Sequence, residues 1–215
     1  MQPIFLFDLD NTLHNANAGI FDLINRRMTL FLAEHLRLNE SDADVLRQDY
    51  WQRYGATLAG LRLHHAEILV WDFLCDTHPL PEILALLEPE AQVGETLCRL
   101  HGKKAVFSNG PSFYIDVLLR QMEIKNEFVA EFGIDTLNYA YKPHQASFDA
   151  VCAQLNVAPQ DCVLIDDSLD NLQTAKSLGM MAVWYGKQAY ELPFLDGAVA
   201  DMAQLLEWAK ARAWA

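Results

Sequence analysis

The chain has no uninterrupted run of about 18 apolar residues, the length a membrane-spanning helix needs. Its four cysteines, Cys75, Cys98, Cys152 and Cys162, form no C-x-x-C pair and have no histidine at zinc-ligand spacing. They are expected to be small buried apolar residues in a reducing compartment. Basic residues are also scarce: 16 Lys and Arg stand against 29 Asp and Glu, a formal charge of −13. Such a chain is repelled by phosphate backbones and anionic lipid, so neither a nucleic-acid polymer nor a membrane is an expected partner. No basic segment precedes the apolar Ile4-Phe5-Leu6-Phe7, and that run meets Asp8, so the start reads as neither signal peptide nor anchor. A cytoplasmic protein, monomer or homodimer, is the expectation.

With 52% hydrophobic and 21% charged residues, the composition is that of a folded chain. A length of 215 residues suits one domain with a sizeable insert, or two small ones. Ile4-Phe5-Leu6-Phe7 reads as a central parallel strand covered on both faces, and three later runs resemble it: 104–108, 162–166 and 181–185. Helical patterns over 114–122, 145–155 and 172–178 alternate with them, which implies an α/β domain with a Rossmann-like parallel sheet flanked by helices. Residues 16–90 differ. Ile20, Ile24, Met28, Phe31 and His35 form a helical stripe, Ser41 and Asp44 open a second helix to about Tyr54, and no strand is evident. An all-helical insert, 16–90, therefore interrupts an α/β core made of 1–15 and 91–215.

The strongest chemical signal is Asp8-Leu9-Asp10-Asn11-Thr12, directly after the first strand. Asp8 and Asp10 project to one side at the carboxyl end of a parallel strand, where open α/β sheets place ligands. Two carboxylates about 4 Å apart at an effective dielectric of about 20 repel by about 4 kcal/mol, so a cation, a shared proton or good solvation must relieve them. A solvated turn is the plain alternative. A second acidic group, Asp166-Asp167-Ser168-Leu169-Asp170, follows another buried strand. Alone it would be a helix N-terminus. Together the two pairs can converge on a hard divalent cation, which suits Mg²⁺. Ser108-Asn109-Gly110 ends a strand before a helix and can hold a phosphate, and Lys142 can bridge a phosphoryl oxygen and a carboxylate. Each is an ordinary turn or surface residue if taken singly.

In order, Asp8/Asp10/Thr12, Ser108, Lys142 and Asp166/Asp167 resemble the four motifs of the haloacid dehalogenase-like hydrolase superfamily, and the insert resembles its helical cap. The cap string Tyr54-Gly55-Ala56-Thr57-Leu58-Ala59-Gly60-Leu61 is similar to the pyrimidine 5′-nucleotidase branch, as are Gly19-Ile20-Phe21, Leu46-Arg47-Gln48-Asp49-Tyr50, Phe107-Ser108-Asn109-Gly110 and Tyr141-Lys142-Pro143. Where that branch commonly has a polar residue and a His-Ala pair, this chain reads Pro111-Ser112-Phe113-Tyr114-Ile115. The resemblance implies a Mg²⁺-dependent phosphomonoesterase acting on a small-molecule phosphate ester, here a pyrimidine nucleoside 5′-monophosphate. Asp8 would be the nucleophile that forms an aspartyl-phosphate, and Asp10 the acid for the leaving alkoxide and then the base for water. The cation would sit on Asp8, the Asp10 backbone carbonyl, Asp167 and Asp166, with Ser108, Asn109 and Lys142 on the phosphate. Thr12 would brace the loop by hydrogen bonding.

From the cap, which would close over the site, Arg47, Tyr50, Arg53, Tyr54 and Thr57 are candidates to read the leaving group. The plain alternative makes Tyr50, Trp51 and Tyr54 helix core, and His64-His65 ordinary cap residues. Sugar-phosphate hydrolysis or phosphomutase chemistry uses the same catalytic set, and a non-catalytic phosphate-binding module would not need all of it. Halide displacement from a 2-haloacid would leave Asp10 and the second acidic group without a task.

Overall fold

The computed structural model describes residues 2–188 and 190–215, and among them six strands pair in parallel throughout. They are β1 (Ile4–Phe7), β2 (Lys103–Phe107), β3 (Ala130–Phe132), β4 (Cys162–Asp166), β5 (Met181–Tyr185) and β6 (Gly197–Val199). Their spatial order is β3-β2-β1-β4-β5-β6, a Rossmann-like arrangement in which successive strands are added on one side of β1 and then, from β4, on the other. Phe5, Leu6 and Phe7 are wholly buried, as an apolar strand covered on both faces requires. β1, β4 and β5 span the runs expected from sequence, and β2 starts one residue earlier. The three-residue edge strands β3 and β6 have too few positions to establish a period.

Ten α-helices accompany the sheet among the described residues: α1 (Ile20–Leu36), α2 (Glu40–Tyr54), α3 (Thr57–His64), α4 (Val70–Thr77), α5 (Leu80–Ala85), α6 (Val93–Arg99), α7 (Ser112–Gln121), α8 (Gln145–Leu155), α9 (Leu169–Ser177) and α10 (Met202–Lys210). The chain divides into two compact units. One runs to Ala16 and resumes at Leu87, and the other is Asn17–Leu86. The first contains the whole sheet with α6 to α10, and Phe107 packs edge-on against Phe148 of α8 at 5.2 Å.

The second unit, α1 to α5, is helical. α1 buries Ile20, Ile24, Phe31 and Leu32, and Phe31 meets Phe73 of α4 edge-on at 5.2 Å. Asn39 caps α2 by accepting from the Asp42 N–H at 2.9 Å, so the helix begins ahead of Ser41. Gly55 ends it in the left-handed region at φ 77°.

Three sequence expectations about burial change. Cys152 and Cys162 are buried, but Cys75 and Cys98 are exposed. α4 buries Phe73, Leu74 and Thr77, and α6 buries Val93, Thr96 and Leu97, so a helix turning about 100° per residue carries each cysteine out of the apolar arc. Trp51 is exposed for the same reason, whereas Tyr50 is core. Trp214 lies beyond α10, yet its ring meets Phe5 edge-on at 6.2 Å. Among the described residues no helix is long and apolar enough to cross a membrane.

Candidate active site

Strand register brings the two acidic motifs together. Phe7 pairs with Ile165, so Asp8 and Asp166 continue neighbouring strands in step, and the Asp8 N–H donates to the Ile165 carbonyl at 2.9 Å. Asp8, Asp166 and Asp167 each offer a carboxylate oxygen within 4.8 Å of the others. The chain following β3 delivers Lys142 between them. Its Nζ donates to Asp8 Oδ1 at 2.8 Å and Asp166 Oδ2 at 2.7 Å, and all three residues are buried.

Burial drives the Asp8 carboxyl well above the usual carboxylate range. Lys142 opposes that shift, while Asp166, Asp167 and Asp10 add to it. Asp167 is pushed up to about 6, first by burial and then by Asp166, against the hydrogen bond from Asn11. Burial also works against the Lys142 ammonium, but Asp166 and Asp8 outweigh it and hold its pKa above the ordinary lysine value. The single ammonium thus leaves an excess of carboxylate, and all the offered donors are oxygens. Those two properties fit a hard divalent cation such as Mg²⁺, held by Asp8 and Asp167 beside Asp166.

Asp166 is the most constrained of the three. Its Oδ1 accepts from the Ser168 N–H at 2.8 Å and from Asn171 Nδ2 at 2.9 Å, so it works chiefly as the fixed counter-ion of Lys142. Asn11 occupies the left-handed region at φ 59°, which asparagine tolerates, and its Nδ2 donates to Asp167 Oδ2 at 3.1 Å. The turn chemistry visible in the sequence therefore has a second use, joining the two acidic loops. Thr12 does not brace this loop as expected: its Oγ1 is buried without a hydrogen-bond partner among the described residues.

Ser108 is buried at the end of β2, and its Oγ accepts from the Gly110 N–H at 3.0 Å, leaving its own O–H to donate. Asn109 is committed to the Lys142 backbone, donating from Nδ2 to the carbonyl at 2.9 Å and accepting the N–H on Oδ1 at 2.8 Å. It thereby fixes the lysine loop. At the α7 start, where an anion site was expected, Asp135 accepts the Ser112 N–H at 2.7 Å and the Ser112 hydroxyl at 2.5 Å. A carboxylate of the chain already occupies that position.

The Asp10 carboxylate forms a separate cluster. Tyr114 donates its hydroxyl to Asp10 Oδ1 at 2.5 Å, and His14 Nε2 lies 3.0 Å from the same oxygen. Neither partner stood out in the sequence, where Tyr114 reads as one position of a helical stripe. The Asp10/His14 spacing of four was the available signal.

The cap candidates lie in the helical unit and mostly serve its own packing. The Arg47 guanidinium donates to Asp44 Oδ1 at 2.8 Å, Asn25 Oδ1 at 3.0 Å and Thr29 Oγ1 at 3.1 Å. Tyr50 is buried and its hydroxyl meets His65 Nε2 at 2.8 Å; the Tyr54 hydroxyl meets His64 Nε2 at 2.7 Å. Thr57 donates to the Arg47 carbonyl at 3.3 Å, and Arg53 pairs with Asp49 at 2.7 Å. A Cβ on Gly60 would lie 2.2 Å from Tyr50 Cγ, so this glycine admits the tyrosine ring. The Tyr-Gly-x-Thr-Leu-x-Gly-Leu string thus has a packing explanation, independent of any substrate.

The family model for haloacid dehalogenase-like hydrolases matches residues 3–179, a span containing every acidic and basic group of the site. The chain belongs to the haloacid dehalogenase-like hydrolase family. It is 28% identical over 196 residues to a phosphoglycolate phosphatase of Colwellia psychrerythraea, covering 85% of this chain and 83% of that protein. It is 24% identical over 140 residues to a 6-phosphogluconate phosphatase of Escherichia coli, covering 62% and 63%. Its fold is similar to that of a haloacid dehalogenase-like phosphatase from Thermococcus onnurineus, with a TM-score of 0.70, 21% identity, and coverage of 100% and 99%. Within this haloacid dehalogenase-like family, these relatives do not point specifically to the pyrimidine 5′-nucleotidase branch that the cap string resembles.

Proposed function

We propose that the protein is a Mg²⁺-dependent phosphomonoesterase that hydrolyses a small phosphorylated hydroxy acid or sugar acid through an aspartyl-phosphate on Asp8. The observation that carries this reading is the grouping of Asp8 with the Lys142 ammonium and the Asp167 carboxylate at the carboxyl end of a central strand. The names of the phosphoglycolate and phosphogluconate relatives favour an acid-bearing ester over a nucleotide. Burial of the Tyr50 ring against Gly60 removes it as a platform for a base.

Asp8 attacks phosphorus as the bond to the leaving oxygen breaks. Asp10 supplies a proton to that oxygen, then takes one from the water that cleaves the aspartyl-phosphate and regenerates Asp8. Lys142 and the Ser108 hydroxyl hold phosphoryl oxygens, and Asn109 fixes the lysine loop. Asp8, Asp167 and the Asp10 carbonyl, beside Asp166, would hold a Mg²⁺ ion, which when bound would supply further positive charge for the phosphoryl group.

Phosphate release is to be measured on 2-phosphoglycolate, 6-phosphogluconate, sugar phosphates, UMP, CMP, dTMP, AMP and GMP, with Mg²⁺ and with EDTA. The acid-bearing esters should lead, EDTA should stop turnover, and Asp8→Asn should abolish it. Metal-independent turnover or an active Asp8→Asn variant would overturn the mechanism. A clear preference for UMP and CMP would overturn the substrate class alone.

A further inference from the structure

The Tyr114 hydroxyl and His14 Nε2 reach the same oxygen of Asp10, and they come from different parts of the chain. The Tyr114 contact is 2.5 Å and spans 104 residues from the first turns of α7; the His14 contact is 3.0 Å from the loop after β1. The two partners also approach each other, with 3.4 Å between the hydroxyl and Nε2. Both are buried, whereas the Asp10 side chain keeps 17% of its surface exposed. His14 Nδ1 has no hydrogen-bond partner among the described residues, so the tautomer that satisfies the ring best carries its proton on Nε2 and donates it to Asp10. Gly110 makes room for this arrangement. A Cβ there would sit 2.9 Å from Tyr114 Cδ1 and 3.3 Å from Ser108 Oγ, so the Ser-Asn-Gly turn admits the tyrosine ring beside the phosphate-binding serine.

Asp10 follows β1 on an irregular loop whose next residue, Asn11, is left-handed. A carboxyl that transfers a proton must stay within hydrogen-bond reach of the leaving oxygen, and a displacement of about 1 Å can cost about 100-fold. We propose that Tyr114 and His14 are positioning residues that fix the Asp10 carboxyl for proton transfer to the leaving group. The inference rests on the phosphatase reading and adds two residues that carry no part of it. The competing explanation is that Asp10 merely satisfies a buried tyrosine hydroxyl.

The leaving group separates the two. p-Nitrophenolate departs without a proton, whereas the alkoxide of an alkyl phosphate needs one, and kcat/KM reports only steps through its departure. Wild type, Tyr114→Phe and His14→Leu are to be compared with Mg²⁺ on p-nitrophenyl phosphate and ethyl phosphate, with Asp10→Asn as the reference for a lost acid. The expected result is a kcat/KM loss of at least about tenfold on ethyl phosphate in Tyr114→Phe, with p-nitrophenyl phosphate held within about twofold. His14→Leu should shift the ratio in the same direction, and serves alone if Tyr114→Phe does not fold. Equal losses on both esters, or no loss on either, in the presence of an active wild type would overturn the positioning role only. A wild type inactive on both would overturn the phosphatase reading and this inference with it.

Discussion

Lys142 sets the charge balance of the site. Its ammonium contacts Asp8 and Asp166 at 2.8 and 2.7 Å in a buried setting, where removing one partner of an ion pair leaves the other uncompensated. Lys142→Met keeps much of the aliphatic stem and deletes the charge. It should lose about 3 kcal/mol of stability in urea unfolding. Phosphate release should fall at least about 100-fold. A variant as stable and active as wild type would make the two ion pairs incidental. Asn11 illustrates a different residue-scale effect, because one side chain both tolerates the left-handed turn and bonds Asp167. The sequence displayed the first property and gave no sign of the second.

Helices α2 and α3 show how a motif can be structural. Gly60 is open to the Tyr50 ring at its base, where a shift of a flexible chain end cannot relieve a clash. Gly60→Ala should therefore destabilise the protein by at least about 1–3 kcal/mol, read from the thermal midpoint with phosphate release assayed at a temperature where the variant is folded. Asp44, on α2, gives a test by pH. The hydrogen bond from Arg47 leads the causes that hold its carboxyl below the usual range, against desolvation, with help from the Arg47 charge, Thr29 and Gln48. A depressed pKa contributes stability above the unfolded value of about 3.9 and loses it as pH falls through the folded value. Asp44 keeps 43% of its side-chain surface exposed and is screened by solvent, so Asp44→Asn should cost only about 0.5 kcal/mol. That cost should be constant from pH 7 to about 5 and shrink below about 4. Urea titrations across that range check it, and a cost that persists unchanged at lower pH would assign it to packing.

For the whole molecule, the formal charge of −13 concerns partners and cations. Part of the excess is concentrated in Asp8, Asp166 and Asp167, whose mutual repulsion a bound cation would relieve in the folded state only. Mg²⁺ at about 100 times its dissociation constant should add about 2.7 kcal/mol, raising the melting temperature by roughly 5–10 °C. Asp167→Asn should lose most of that increment while folding normally without metal. An equal Mg²⁺ shift in the variant would place the cation elsewhere.

Local pattern was enough to establish the parallel α/β class, the positions of the central strands and the identity of the groups that meet at their ends. Each of those depends on local pattern: apolar runs mark β1, β4 and β5, and a carboxylate that closes such a run lies at the carboxyl end of the sheet. The edge strands β3 and β6 were not legible because three residues have no period, and the exposure of Cys75, Cys98 and Trp51 depended on which arc of each helix met a neighbour. What the site residues touch was set by the packing of elements distant in the chain. It committed Asn109 to the lysine loop, gave the α7 start to Asp135 and joined Asp10 to Tyr114 across 104 residues. Such contacts follow from strand register and helix placement, which bring distant side chains within hydrogen-bond reach without any local mark on either one.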